Sequence, residues 1–121
     1  MEQFKVIVAG SRDFSDYLLL CHKCDIFFSK KKPSHIISGN ARGADILGKQ
    51  YAEEHDIPCI VMPAEWDRYG KRAGYIRNQQ MLDEADALIA FWDGRSRGTQ
   101  HMIDIARDKG IPVRVVRTAE K

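Results

Sequence analysis

Cysteine is scarce in this chain, and so are proline and long apolar runs. Three cysteines in 121 residues, an odd number, cannot build a disulfide framework and fit a reducing compartment. No apolar run approaches the roughly 18 residues of a membrane span. The start, Met1-Glu2-Gln3 followed directly by Phe4-Lys5-Val6-Ile7-Val8, lacks the basic region, apolar stretch and small-residue cleavage site of a signal peptide. The expectation is a soluble cytoplasmic protein with no membrane partner. An excess of one charge is missing too: 19 basic against 17 acidic residues leave a net charge of +2. Binding driven by bulk charge, whether to a membrane surface or as a nucleic-acid coat, is thereby disfavoured, so any anion selectivity has to be local. Low-complexity linkers and internal repeats are absent, and 44% hydrophobic residues suffice for one domain spanning 1–121.

What is present is a regular alternation. Short β-branched or aromatic runs at Phe4 to Ala9, His35 to Ser38, Pro58 to Pro63, Ala87 to Trp92 and Pro112 to Val116 read as strands. Helical patterns separate them: one capped by Ser15 or Asp16 and running through Phe28, then Ala44 to His55, Tyr75 to Ala85 and Thr99 to Lys109. Parallel strands need crossover connections, so this alternation predicts an α/β fold, a three-layer sandwich around a central, mostly parallel five-stranded sheet. The nearly all-apolar strands at Val6 to Ala9 and Ala87 to Phe91 suit its centre.

In such sheets ligands bind beyond the carboxyl ends of the strands, where strand order reverses. Three loops occupy that position. Ser38-Gly39-Asn40-Ala41-Arg42-Gly43-Ala44-Asp45 joins a strand to a helix; its glycines allow close backbone approach, Arg42 can fork to a phosphate, and Asp45 can accept from a ribose hydroxyl. Gly10-Ser11-Arg12 repeats the logic with a hydroxyl donor and a cation. Asp93-Gly94-Arg95-Ser96-Arg97-Gly98-Thr99 sets Gly98 and Thr99 at the amino end of the last helix. The segment from Glu65 to Asn78 adds a covering loop in which Trp66 or Tyr69 can stack on a base and Arg77 and Asn78 can face phosphate. Two other features carry no chemistry in this reading. Cys21-His22-Lys23-Cys24 lies within a helix without a second ligand pair and is read as core-facing cysteines, so no metal is expected. His101 is read as facing solvent.

Taken together, Val8-Ala9-Gly10-Ser11-Arg12-Asp13-Phe14, Ser38 to Asp45, Trp66 to Asn78 with Met81, and Gly98-Thr99 resemble the YspA-like (DUF2493) branch of the SLOG superfamily across essentially the whole chain. The resemblance implies a Rossmann-like fold binding a nucleotide or nucleotide-derived small molecule, such as an ADP-ribose-like signal or a nucleoside phosphate, with no cofactor. It carries Gly10, Ser11, Arg12, Gly39, Arg42, Gly43, Asp45, Arg77, Asn78, Gly98 and Thr99 over as ligand-facing positions. Relatives include the lysine-decarboxylase-like phosphoribohydrolases and the DNA-processing proteins, and superfamily members often form homodimers through helices beside the pocket. Departures are Asn40 for a usual glycine, Tyr75 for a usual proline, and the bulky Asp93 to Arg97 turn. The phosphoribohydrolases resemble Gly-Gly-x-Gly-Thr-x-x-Glu, and the position of that glutamate is Met102 here. A thioether cannot act as general acid or base, so binding is the leading expectation. Hydrolysis of an N-glycosidic or phosphate bond through Asp45, Glu65, Asp93 or His101 is the alternative, and single-stranded DNA binding a third, against which the near-neutral charge counts.

Overall fold

The structure, a computed structural model, describes residues 3–118. Five strands, β1 (Lys5–Gly10), β2 (His35–Ser38), β3 (Cys59–Val61), β4 (Ala87–Trp92) and β5 (Val113–Arg117), form one sheet in the order β3-β2-β1-β4-β5. Every pairing is parallel, with Val8 beside Ile89 at the centre. The helices are α1 (Tyr17–Phe27), α2 (Ala44–Glu54), α3 (Trp66–Tyr69), α4 (Ala73–Glu84) and α5 (Arg97–Lys109), and a single 3-10 turn, Gly70–Arg72, links α3 to α4.

Strand alternation divides the core in two. Val6, Val8, Ile36, Ile89 and Phe91 point to one face, where they meet Leu20 and Cys24 of α1 and Ala52 of α2. Ile7, Ala9, Ile37, Leu88 and Ala90 point to the other, against Met81 and Leu82 of α4 and Met102, Ile103 and Ala106 of α5. Both faces of β1 and β4 are therefore covered, which is why these strands read as continuous apolar runs. This is the expected three-layer α/β arrangement, with a sheet that is wholly rather than mostly parallel. The chain runs outward from β1 through β2 to β3, then crosses back to β4 on the other side of β1 and on to β5, so the reversal point falls between β1 and β4.

Local chemistry sets the helix ends. Asp16 caps α1, its carboxylate accepting from the Leu19 N–H at 3.0 Å. Gly110, at φ 86°, ends α5 in the left-handed conformation. The sequence pattern starts two helices late. Helix α4 begins at Ala73 rather than Tyr75, and α5 at Arg97 rather than Thr99, because Ser96 supplies the cap: its hydroxyl accepts from the Thr99 N–H at 3.3 Å. The four-residue α3 has no periodicity long enough to detect.

Cys24 is fully buried and Cys21 packs against the same cluster, with burial pushing the Cys24 thiol up to about 12. Among the described residues no helix is long and apolar enough to cross a membrane, and no group of three His, Cys, Asp or Glu side chains gathers to hold a metal.

Candidate functional site

The carboxyl ends of β1, β2 and β4 hold a cavity of about 340 Å³. Gly10 lines it from the end of β1, Arg12 from the loop that follows, Ala41 from the turn after β2, Asp45 from the first turn of α2, Trp66 from α3, Arg77 and Asn78 from α4, and Gly98 and Thr99 from the first turn of α5. Met81 and Met102, each 1% exposed, also line it. A second cavity of about 400 Å³ adjoins it, lined by Gly39, Asn40, Arg42, Pro63 and Ala64 together with Arg12, Ala41, Trp66 and Arg77.

Arg77 organises this rim. Its guanidinium is half-buried, donates to the Gly39 carbonyl at 2.7 Å and, through Nε, to the Asn78 side-chain oxygen at 3.2 Å. Burial lowers its pKa while Asp45 pulls it back up, and a guanidinium starting so far above neutrality stays charged. Asn78, 6% exposed, donates in turn to the Gly98 carbonyl at 3.1 Å and faces His101 Nδ1 at 3.1 Å. One residue pair thus fixes α4 against the β2 turn and the amino end of α5.

Asp45 faces the same space at 4% exposure. Its carboxylate accepts from the Ala41 N–H at 3.3 Å, yet burial outweighs Arg77, the Ala41 and Gly10 backbone N–H groups and Arg12, and raises its pKa to about 6. From an ordinary value of 3.8 to about 6, the folded chain holds a proton that the unfolded chain has released. The contribution of Asp45 to stability therefore falls as pH rises through that window, and its cost is fully present above it. Two units amount to about 3 kcal/mol. Asp45→Asn removes this titration, so the stability of the variant relative to the native chain should rise by about that amount between pH 4 and roughly 6.5 and then level off. Denaturant unfolding at several pH values measures it, and a flat difference would show that Asp45 ionises as it does in the unfolded chain.

The remaining expected residues shape the rim without facing the first cavity. The Ser38 hydroxyl donates to the Asp45 carbonyl at 2.8 Å and accepts from the Asn40 N–H at 3.1 Å. Asn40 stands at φ 61°, a left-handed conformation that asparagine tolerates, so its replacement of the family glycine leaves the turn intact. Gly43, at φ 91°, packs against the β1 loop, whose Ser11 carbonyl accepts from the Ala44 N–H at 3.3 Å. The Asn40, Ala41 and Ala44 N–H groups are thus bonded within the protein, to Ser38, Asp45 and Ser11. Ser11, 2% exposed, accepts from the Asp93 N–H at 3.0 Å through its hydroxyl, joining the β1 and β4 loops. Asp93 folds its own turn by accepting from Arg95 and Ser96 N–H, and those bonds hold its carboxyl below the usual range. Both line a recess away from the main cavity.

Arg42 lies in the second cavity, largely exposed, with weak contacts to the Arg12 carbonyl at 3.4 Å and Asp13 at 3.5 Å. Tyr69 closes α3 and packs beside Arg68 outside both cavities. His101 is half-buried rather than solvent-facing, held by Asn78 and edge-on to Tyr75 at 4.5 Å, with burial lowering its pKa. Lys71, Tyr75 and Arg97 also line the cavity, although the sequence pattern gives them no role; each lies inside a motif window, and the direction of Lys71 and Tyr75 is not readable without the α3 turn.

The profile of the YAcAr family, described as the YspA, cpYpsA-related SLOG family, matches residues 4–69, just over half of the chain. The gene 61 protein of Mycobacterium phage D29 is 33% identical over 116 residues, covering 90% of this chain and 93% of that protein. Among solved structures, DNA processing protein A (DprA) from Streptococcus pneumoniae superposes with a TM-score of 0.77 over 97% of this chain at 18% identity, a likeness of fold. The chain spans about half the length of that DprA chain, 51%. The family profile and the full-length similarity agree with the switch-point architecture, and the chain belongs to the YspA, cpYpsA-related SLOG family.

Proposed function

We propose that this protein binds a nucleotide or nucleotide-derived small molecule at the carboxyl-end rim of its sheet. The observation that carries the proposal is the convergence of Arg77, Arg12 and the open first turn of α5 on one cavity at the β1/β4 reversal point. A helix amino end and two guanidinium groups, that of Arg77 held by its own hydrogen bonds, favour a phosphate, and a Cβ at Gly98 would meet no atom within 4 Å, so that turn is accessible. The Asp45 carboxylate suits a ribose hydroxyl. Trp66, 50% exposed, offers an apolar face for a base. Thermal unfolding with and without nucleoside monophosphates and ADP-ribose tests this reading: at least one should raise the midpoint, and none doing so would refute it.

Ligand binding should also change tryptophan fluorescence through Trp66 alone. Trp92 is pinned, its indole N–H donating to the Ser96 carbonyl at 3.1 Å and its ring lying 5.3 Å from the Arg117 guanidinium. The signal should therefore vanish in Trp66→Phe, and a signal that persists there would remove Trp66 from the site.

A hydrolytic reading retains one specific support. Of the four side chains that sequence reasoning offered as substitutes for the missing glutamate, Asp45 alone lines the cavity, and it gains or loses a proton near pH 6. The position of that glutamate holds the buried Met102. Binding without turnover is the expected result on chromatography of the same ligands after incubation; product that disappears in Asp45→Asn would make the protein a hydrolase.

A further inference from the structure

The most exposed large apolar side chain among the described residues lies on α1, across the sheet from α4 and α5. Leu18 is 81% exposed, and Ile26, about two turns further along the same side of the helix, is 50% exposed. The inner side of α1 is apolar as well, with Leu20 and Cys24 in the core and Leu19, Cys21 and Phe27 packed against it. A helix that is apolar on both sides is built to be covered on both. Leu18 and Ile26 stand outside the core contact.

A matching recess lies at the other end of the same helix. Where α1 finishes, at the amino ends of β1, β4 and β5, a cavity of about 500 Å³ is lined by Phe4, Ile26, Phe27, Phe28, Leu88 and Pro112. The charged residues on its wall, Lys30 and Arg114, are both cations. The opposite end of α1 carries the opposite sign, since the exposed Asp13 and Asp16 precede its first turn. An exposed leucine beside carboxylates thus sits at one end of α1, and an apolar cavity beside cations at the other. Eleven residues of helix, roughly 16 Å, keep the two apart within one chain. They meet when a second chain lies antiparallel, because a two-fold axis near His22 sets Leu18 opposite the partner's Ile26 and does so twice. We propose that this face of α1 is a homodimer interface, with Leu18 of each copy seated at the partner's cavity and the acidic helix start against the partner's Lys30 and Arg114. The rim cavity, between the other face and the strand ends, stays open, so pairing here and ligand binding there succeed or fail separately.

Sedimentation equilibrium of the full chain from about 1 to 500 μM tests this, with dimer expected within that range. Leu18→Glu would place a charge against the apolar cavity and should weaken the dimer by about 30-fold or more. A carboxylate is favourable in the first turn of a helix, so this exposed substitution should leave the unfolding midpoint of the monomer intact. Adding Ile26→Lys sets opposite charges against each other at both symmetry-related contacts, and the double variant should regain about tenfold over Leu18→Glu alone. Antiparallel docking about His22 is what brings those two positions together, so the recovery reads the register and not merely the presence of a dimer. A chain that is monomeric throughout, a dimer that Leu18→Glu leaves unchanged, or a double variant no tighter than the single one would overturn the proposal. A monomer that releases a small apolar acid on denaturation, detected by mass spectrometry, would assign the cavity to that molecule instead.

Discussion

Replacing Arg77 with alanine should lower nucleotide affinity by about 10- to 100-fold, the largest binding effect of any single substitution at this rim. The reasoning starts from where the guanidinium is held. Arg77 rises from α4 half-buried, with one nitrogen on the Gly39 carbonyl and another on Asn78, so its direction is fixed before any ligand arrives. A preordered charge spends little conformational entropy on binding, and a charge-assisted bond to phosphate contributes about 1.5–3 kcal/mol. Truncation also leaves the buried Gly39 carbonyl without its donor and removes the nearest compensation for Asp45, so the fold should lose stability as well. Arg77→Lys keeps the charge but not the fork, and should recover only part of the affinity. Arg42 is the internal control. Motif logic makes it the equal of Arg77, but it is exposed and its contact to Asp13 is 3.5 Å, so Arg42→Ala should leave monophosphate affinity nearly unchanged. Calorimetry on the three variants decides the matter, and equal losses from Arg42→Ala and Arg77→Ala would contradict this map.

The largest stability effect should come from Gly43→Ala. Gly43 sits at φ 91°, ψ −131°, a region that side chains avoid, and an added Cβ would collide with the carbonyl oxygens of Ser11 and, at 2.6 Å, Arg12. Both contacts are backbone, and the Ser11 carbonyl is already fixed by Phe14 and Ala44 N–H groups, so nothing nearby yields cheaply. The cost should be about 3 kcal/mol or more, equivalent to a fall in the unfolding midpoint of roughly 10–15 °C in a domain of this size. Because the collision pushes the β1 loop away from the β2 turn, Arg12 should move and ligand affinity should fall too. Denaturant unfolding measures the first effect, and a loss below about 1 kcal/mol would mean that the loops are not locked together as described.

Much of the fold was legible because its strongest signals were local. The apolar runs at Val6 to Ala9 and Ala87 to Phe91 mark strands covered on both sides, and Gly110 followed by Pro112 marks a helix stop. A parallel sheet follows from the crossovers, and with it the shared rim of three loops. Individual side-chain roles were less legible, since sequence gives the loop but not the direction of each residue within it. The Ser11 hydroxyl accepts from the Asp93 N–H across two loops, whereas the Ser38 hydroxyl and the Asp93 carboxylate bond backbone groups within their own turns. Lys71 and Tyr75 reach the cavity only because α3 and the following 3-10 turn redirect the chain, and those short elements leave no periodic trace. The raised pKa of Asp45 depends on its burial in the folded chain, which no local pattern records.

The claim at the centre of this account is that the β1/β4 reversal point is a nucleotide site, and amide chemical-shift mapping tests it most directly. With the isotopically labelled protein titrated against nucleoside monophosphates and ADP-ribose, shifts should concentrate at Gly10, Ala41, Arg77, Gly98 and Thr99. The same titration of Arg77→Ala should need far more ligand to reach them. Shifts that gather instead on the outer surface of α1 or along β5, or no shift with any probe, would contradict it.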